Sequence, residues 1–341
     1  SYVAFWKDAA MRCQQSVLKL FLLSLQPPLL HHLQSADRPA VRGVSVRMST
    51  QRGDATLPAV STLPSREKID AHVVALYRFA VKGLASDTLQ HVHLGHGDTF
   101  PYDRRWAMLY AKKNSTFDPQ RPEWVHKENF LCAFTANELL GSFVTSFDDS
   151  TQQLTVRKRA QPDAQPLLQA SLVEGDGRAR VGAFFSEVSG AELRVVSSTS
   201  RPHQFGNTRA GVSASGDTRT IHIVNQNTVA AVSARAGVPL DASRFRANVV
   251  LGGALPAWRE FEWVGRTVRL GSVTLRVLSR TVRCEGVNVA ASGGAADVDV
   301  PRLLNRHFPE HGPYLGVYAQ VIGEGDVRVG DTAAAIGDNV I

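Results

Sequence analysis

From His72 onward, apolar and polar residues alternate along much of the chain, which is the periodicity of half-buried β-strands. The clearest runs predict strands at Val73–Phe79, Arg105–Ala111 and Gln153–Arg157. A fourth run, Gly316–Ile322, predicts a strand near the C-terminal end. The dominant predicted element is therefore the strand.

Glycine-containing turns predict how some of these strands connect. Gly271-Ser272 predicts a hairpin of Thr267–Leu270 with Val273–Val277. The turn at residues 323–326 predicts a second hairpin, of Tyr318–Ile322 with Val327–Val329.

Helix signals are few and short, at Arg180–Val188, Thr228–Ala236 and Pro301–Phe308. The first two end before Gly190 and Gly237, since glycine readily adopts the left-handed conformation that terminates a helix. Many strands with few short helices predict a mainly β fold of the α+β class, barrel-like and covered by those helices.

The first 70 residues differ from the rest in composition. Residues 11–52 hold a net charge of +5 out of the chain's +7, and they are rich in Ser and Leu. This composition is typical of an organelle-targeting segment and predicts a mitochondrial location. Secretion, a cytoplasmic location and plain disorder stay open, as does membrane association, although Val17–Leu25 is shorter than the roughly 20 residues that a membrane span needs.

Composition also predicts the domain organisation. Residues 36–70 have the Pro and Gly content of a linker, and a Ser-, Arg- and Gly-rich stretch at Val196–Ala214 indicates a domain junction or a long functional loop. We therefore predict a targeting segment and linker at 1–70, a smaller mixed β domain at 71–195, and a C-terminal domain at 196–335. Outside residues 11–52 the net charge is only +2, which argues against a nucleic-acid-binding protein.

The most informative residue is Cys284. It closes the alternating run that begins at Val273, Arg283 precedes it, and the loop 285–294, which contains Gly293-Gly294, follows. A thiol at a strand end, beside an Arg and before a glycine-bearing loop, is placed like a metal ligand or a nucleophile. Considered alone, Cys284 is also compatible with a small buried hydrophobic residue, the interpretation we give to Cys132.

Other sequence motifs narrow the range of possible functions. No glycine-rich phosphate loop follows a strand, and neither a GxSxG nor an HExxH motif occurs. The three cysteines match no zinc pattern and no disulfide scaffold. His91 and His93 share a strand face, with His96 nearby, so they form a candidate metal pair; exposed strand or loop histidines are the alternative.

An ordered set of C-terminal motifs resembles the MOSC domain. The motifs are Arg244–Asn248, Trp258–Phe261, Val282–Cys284, Val300–Arg302, Gly316–Ala319 and Val329–Asp331. Upstream, Tyr77–Gly83 and Gly97–Trp106 resemble the N-terminal β-barrel module that precedes MOSC in the mitochondrial amidoxime-reducing component and its bacterial relatives. Together the two resemblances cover about residues 72–333.

The resemblance implies a MOSC-type β-barrel, preceded by an N-terminal β-barrel domain at 71–195, that binds molybdenum cofactor, a pterin dithiolene bearing a phosphate. It implies Cys284 as the metal ligand, and a thiolate is the soft donor that such a metal takes. Arg283 would favour the thiolate, and Lys82, Arg104, Arg246 and Asn248 would hold the cofactor. Surface-loop or strand-capping roles remain open for these last four residues.

The chain departs from the family at several positions. Relatives commonly place a Thr and an Asp-Pro pair after the cysteine, where this chain has Val287, Ala290 and Ala291. Gly83 stands where relatives of the amidoxime-reducing type often have Ser. The missing hydroxyl and carboxylate groups affect the rate or specificity of catalysis, or mark a copy that binds the cofactor without turnover.

The leading hypothesis is a molybdenum-dependent oxidoreductase that reduces N-hydroxylated or similar N-oxygenated small molecules. The resemblance implies that electrons come from a cytochrome b5-type protein and its flavin reductase. The alternative is a non-redox cofactor carrier or sulfur-transfer module; the chain has no room for a pyridoxal-phosphate desulfurase domain, so it would need a separate sulfur donor. A structural protein that kept the fold without the chemistry is a third possibility.

Overall fold

The computed structural model describes residues 71–118, 120, 123–199 and 219–336, with the side chains of residues 114–116 left aside. The predicted targeting segment, the linker and most of the Val196–Ala214 stretch lie outside these residues. No helix in the described residues is long and apolar enough to cross a membrane.

The described residues are mainly β, as the sequence predicts, with four short α-helices. The strands are β1 (Ala71–Arg78), β2 (Asp87–Leu89), β3 (His91–Leu94), β4 (Trp106–Tyr110), β5 (Phe130–Leu131), β6 (Phe143–Asp148), β7 (Gln153–Lys158), β8 (Leu168–Ser171), β9 (Leu193–Ser197), β10 (Thr220–Asn225), β11 (Val249–Gly253), β12 (Thr267–Leu270), β13 (Val273–Val282), β14 (Tyr314–Gly323), β15 (Gly325–Arg328) and β16 (Thr332–Ala335). The helices are α1 (Asn137–Gly141), α2 (Gly175–Ser189), α3 (Gln226–Ala236) and α4 (Val300–His307).

Seven strands close into a barrel in the order β11-β10-β14-β13-β12-β16-β1, and the pairing of β1 with β11 completes the ring. All neighbours are antiparallel except β10 and β11. Alternate residues of the strands point inward and are fully buried, among them Leu76, Leu251 and Leu275. The period of two in the sequence is therefore the inside–outside alternation of a closed sheet.

A second layer of structure lies between β3 and β10 in the chain. It consists of two three-stranded sheets, β5-β4-β9 and β6-β7-β8, with α2 packed against β8 and β9. Trp106, Phe185 and Val156 lie in its core. Both this layer and the barrel belong to one compact unit, Ser65–Ile341.

The strand pairing departs from the predicted domain organisation at β1. This strand comes from the segment 71–195, yet it belongs to the C-terminal barrel, because its backbone bonds to β11 on one side and to β16 on the other. Strands β4 to β9 of that segment form two open three-stranded sheets, not a closed barrel, within the described residues, while β2 pairs with β1 and β3 pairs with β15. The boundary at residues 195 and 196 stays a prediction.

The predicted hairpin of β12 with β13 is confirmed, and α2 and α3 end at Gly190 and Gly237, both in the left-handed conformation. The predicted hairpin across residues 323–326 is wrong. Both edges of β14 already pair, with β10 and β13, so the chain leaves the barrel and β15 pairs with β3.

Candidate functional site

All six residues predicted for the site line one cavity of about 590 Å³. They are Lys82, Arg104, Arg246, Asn248, Arg283 and Cys284. Residues separated by about two hundred positions in the sequence meet here because the barrel places the ends of several strands next to one another.

Cys284 lies just beyond the end of β13. The strand ends at Val282, the Arg283 amide then donates to the Pro313 carbonyl (2.7 Å), and Cys284 begins the 3-10 helix Glu285–Val287. The thiol is free and half-buried. A sulfur that is both fixed by its backbone and accessible from a cavity can bind a soft metal ion.

Arg244 stabilises the loop that follows Cys284 through hydrogen bonds. Its buried guanidinium makes two hydrogen bonds to the Asp297 carboxylate, at 2.7 and 2.6 Å, and a third to the Val287 carbonyl at 3.2 Å. These hydrogen bonds lower the pKa of Asp297. The loop therefore keeps a defined path although it has little regular structure.

Helix α1 also contacts this loop. The Asn137 amide donates to the Gly286 carbonyl at 3.0 Å, and a side chain on Gly293 would clash with the Gly141 carbonyl. Gly293 also has a φ of +84°, which glycine adopts without strain. The glycine predicted to matter after Cys284 thus allows close backbone approach to α1.

Arg104 and Arg246 form one cationic cluster. Their guanidinium carbons lie 4.6 and 4.3 Å from the ring centroid of Phe79, and Arg104 Nη2 donates to the Arg246 carbonyl at 2.8 Å. Arg104 also pairs with Asp103. Both arginines have positive φ values, +48° and +55°, which are uncommon for residues other than glycine and cluster at functional sites.

Arg246 also carries an unsatisfied hydrogen-bond donor among the described residues. Its Nη2 is buried and has no hydrogen-bond partner among the described residues. Burial, followed by the charge of Arg104, lowers the pKa of Arg246 to about 9. Because unpaired buried donors are costly, this nitrogen is suited to an oxyanion bound in the cavity.

Lys82 adds a further charge to the cavity. Its pKa is lowered to about 8, mainly by burial; the charge of Cys132 opposes this shift, and the neighbouring cations Arg104, Arg246 and Lys127 add to it. The next residue, Gly83, has a φ of +94°, and a Cβ there would lie 2.6 Å from the Cys132 Cα. The Ser that relatives often carry at this position has no room in this chain.

Asn248 lines the cavity, but its amide is used by the barrel. Its Oδ1 accepts from the His222 amide at 3.1 Å, and its Nδ2 donates to the Tyr77 carbonyl at 3.2 Å. The side chain is 1% exposed. These bonds favour the strand-capping role over cofactor contact, which stays a prediction for this residue.

Arg283 is buried beside Cys284. Its Nη2 donates to the Phe245 carbonyl at 2.8 Å, Nη1 lies 3.3 Å from His222 Nε2, and Nε has no partner among the described residues. Burial lowers the pKa of Arg283, and the negative charges of Tyr318 and Cys284 oppose this shift. The guanidinium of Arg283 therefore places a positive charge next to Cys284.

His222 is a cavity residue that the sequence did not single out. It is 5% exposed, and burial, then the charges of Arg283 and Arg104, lower its pKa well below the ordinary value. A neutral imidazole here can accept from Arg283 through Nε2 while Nδ1 lies 3.4 Å from the Arg246 carbonyl. The available signal was one polar residue between the apolar residues Ile221 and Ile223.

The segment 124–134 forms another part of the wall that the sequence did not predict. It contributes Lys127, Phe134 and Cys132, among other residues. Cys132, which we interpreted as a buried hydrophobic residue, is indeed 4% exposed, but its thiol belongs to the same cavity as Cys284.

The cavity is strongly basic. Of the described residues that line it, five are cationic and none is an Asp or Glu. The five are Lys82, Arg104, Lys127, Arg246 and Arg283. A concave site with this charge pattern binds anions, and arginine in particular matches the geometry of phosphate.

The candidate histidine pair is not part of a metal-binding cluster among the described residues. His91 and His93 are exposed on β3 and share one partner oxygen, Oδ1 of Asp326, at 2.9 and 3.3 Å. The described residues contain no group of three or more His, Cys, Asp or Glu side chains that could hold a metal ion. The exposed-strand interpretation therefore fits these histidines.

The solved structures that are similar in part to this chain include two bacterial proteins. The YUAD protein from Bacillus subtilis is 12% identical, with a TM-score of 0.33 over 77% of this chain and 93% of that one. YiiM from Geobacillus stearothermophilus is 19% identical, with a TM-score of 0.27 over 35% of this chain and 55% of that one. No curated protein sequence matches. Among family models, it is the MOSC domain that matches this chain, over residues 200–334.

Proposed function

We propose that this protein binds molybdenum cofactor and reduces N-oxygenated compounds, N-hydroxylated ones in particular. The MOSC match supports cofactor association. The observation that carries the proposal is the cavity itself, where an accessible thiol lies among five cationic side chains and the part of the chain that the structure describes contributes no acidic one.

The residues present fit the chemistry of that cofactor. Its metal takes soft sulfur donors, which Cys284 supplies, and its phosphate takes cationic donors. The unpartnered Nη2 of Arg246, with Arg104 beside it and Lys82 in the same cavity, offers such donors. The volume of about 590 Å³ lies in the range of small-molecule sites, about 300–1,000 Å³.

When bound, the cofactor supplies a metal that exchanges two electrons with the substrate. Reduction of an N-hydroxylated compound breaks its N–O bond, consumes two electrons and two protons, and yields the amine and water. The chain's own residues have other roles: Cys284 would bind the metal, Arg283 places a positive charge beside it, and Arg246, Arg104 and Lys82 would hold the anionic end of the cofactor.

The electrons must come from a partner. We propose a cytochrome b5-type protein supplied by a flavin reductase, as the family resemblance implies. The mitochondrial location predicted from residues 1–70 belongs to the same proposal.

The test is the molybdenum and pterin content of the purified full chain, compared between the wild type and Cys284→Ser. We expect the substitution to remove the metal while the circular dichroism spectrum stays unchanged. Cys132→Ser is the matched control, since it removes the other cavity thiol and should retain the metal. Equal metal content in Cys284→Ser and the wild type would overturn the assignment of the ligand.

Turnover is tested separately, with an amidoxime as substrate and a cytochrome b5-type donor with its reductase. The metal-loaded wild type should form the amidine, and Cys284→Ser should not. Metal-loaded protein that receives electrons but reduces no N-oxygenated compound would leave the cofactor site standing and refute the reductase.

One observation favours the alternative of a sulfur-transfer module. A second free thiol, Cys132, lines the cavity together with Cys284. In that reaction a donor persulfide passes its outer sulfur to the Cys284 thiolate, and the donor leaves as a thiolate. A persulfide on Cys284 by mass spectrometry, formed in molybdenum-free protein by a persulfide donor, would support this function over reduction.

A further inference from the structure

The segment 124–134, called here the rim segment, lines the cavity with residues that the cofactor site does not use. It brings one lysine and several rings to the wall, from Trp124, His126, Lys127 and Phe134. Trp124 and His126 make an edge contact, with ring centroids 5.5 Å apart.

Lys127 is the cation of this segment. Its Nζ lies 3.6 Å from the ring centroid of Phe134, and the side chain is half-buried. Among the described residues it makes no ion pair, although the segment contains Glu128, which contacts His126 instead. The ammonium group therefore keeps its donors for a ligand while an aromatic face fixes its position.

The position of Lys127 separates it from the cluster proposed for the phosphate. Arg104 and Arg246 share the ring of Phe79, whereas Lys127 lies over Phe134. Two further cavity cations lie near rings of their own, Lys82 near Phe130 and Arg283 near Phe245. Of the five cavity cations, Lys127 is the one to which the proposed cofactor site gives no role.

We propose that Lys127, Phe134 and Trp124 form a substrate subsite for planar compounds that carry an anionic group, such as a carboxylate. This inference rests on the proposed function, because it names the class of substrate that the same cavity would admit. Trp124 and Phe134 bring aromatic surface to the cavity wall, and Lys127 offers a charge-assisted hydrogen bond to the anionic end of the molecule. Among the described residues, no acidic side chain lines the cavity to repel such a molecule.

The experiment compares two ligands of similar shape and different charge, benzoate and benzamide. Their binding to the purified full chain is measured by calorimetry, with quenching of tryptophan fluorescence as a second readout. We expect benzoate to bind about tenfold more tightly than benzamide, the ratio of one charge-assisted hydrogen bond. Lys127→Met should remove this preference and leave benzamide binding unchanged.

Lys112→Met is the matched control. Lys112 also lies over a ring, with its Nζ 5.9 Å from the centroid of Tyr110, but it does not line the cavity. Its substitution should leave both ligands unaffected. Arg246→Met tests the competing location, because loss of benzoate binding there but not in Lys127→Met would place the anion on the Phe79 cluster and overturn the subsite.

The outcomes separate this inference from the proposed function, since binding is measured without turnover. Selective loss of benzoate binding in Lys127→Met supports the subsite even if the protein reduces no N-oxygenated compound. Equal binding of benzoate and benzamide by the wild type refutes the subsite even if the protein proves to be a molybdenum-dependent reductase.

Discussion

Glu260 is a fully buried carboxyl group whose protonation should set how stability depends on pH. It lies in the 3-10 helix Arg259–Trp263 and is 0% exposed. Asn225 Nδ2 donates to it at 3.0 Å and Thr228 Oγ1 at 2.9 Å, both from the start of α3. Burial raises the pKa of Glu260 from 4.5 to about 7.

The magnitude follows from that difference in pKa. Each unit corresponds to about 1.4 kcal/mol, so the full effect is about 3 kcal/mol. The folded state holds the proton more tightly than the unfolded state. The contribution of Glu260 is therefore fully present below pH 4.5, is lost as the pH rises, and is gone above about pH 7.

Glu260→Gln replaces this group by one that does not titrate. Urea unfolding measured at pH 5 and pH 8 gives the free energy of unfolding of each protein. Between these two conditions we expect the wild type to lose about 2 to 3 kcal/mol relative to Glu260→Gln, most of the full effect. The amide keeps one acceptor oxygen, so the variant should still fold.

Glu262→Gln is the matched control, since Glu262 lies two residues away, is 56% exposed and pairs with Arg259. It should follow the wild type at both pH values. If wild type and Glu260→Gln lose the same free energy between pH 5 and pH 8, then Glu260 ionises in the folded protein as it does in water, and the reasoning is refuted.

Three further predictions concern the frame of the cavity. Gly83→Ala should lower the free energy of unfolding by about 2 kcal/mol or more, because its Cβ would meet the Cys132 backbone at 2.6 Å; Gly190→Ala, with open space around it, should cost only about 1 kcal/mol in a urea titration. Arg244→Met should release the loop after Cys284 and speed its cleavage in limited proteolysis, and unchanged cleavage would show that the Asp297 contacts are dispensable. His222→Phe should weaken cofactor retention about tenfold after dialysis, since Arg283 loses its Nε2 partner, and undiminished pterin fluorescence would contradict this positioning role.

The mainly β fold could be predicted because most strands are half-buried. Where one face is inside and one outside, as in β12 or the first half of β13, alternation is visible in the sequence. The C-terminal ends of α2 and α3 could also be predicted, since glycine readily adopts the left-handed conformation that terminates a helix. Residues 323–326 are typical of a hairpin turn, so the sequence predicts a hairpin there. That prediction failed because strand pairing depends on the barrel, in which both edges of β14 are already paired.

The site was predictable only in part, for a physical reason. Cys284 and Arg283 stand next to each other in the sequence, so their relation was visible there. His222 and Lys127 become cavity residues only when strands and loops far apart in the chain meet. Asn248 shows the opposite case: its amide type suited a ligand contact, but the barrel uses both of its polar atoms.

The position of β1 has a consequence for any shortened form of this protein. The stretch that matches a known family begins at residue 200, yet the strand that joins β11 to β16 lies at residues 71–78. A polypeptide starting at residue 200 would leave two neighbouring strand edges bare, and bare edges recruit other chains. Such a truncation should accumulate as aggregates, and adding a peptide with the sequence of residues 71–78 should return part of it to the soluble fraction.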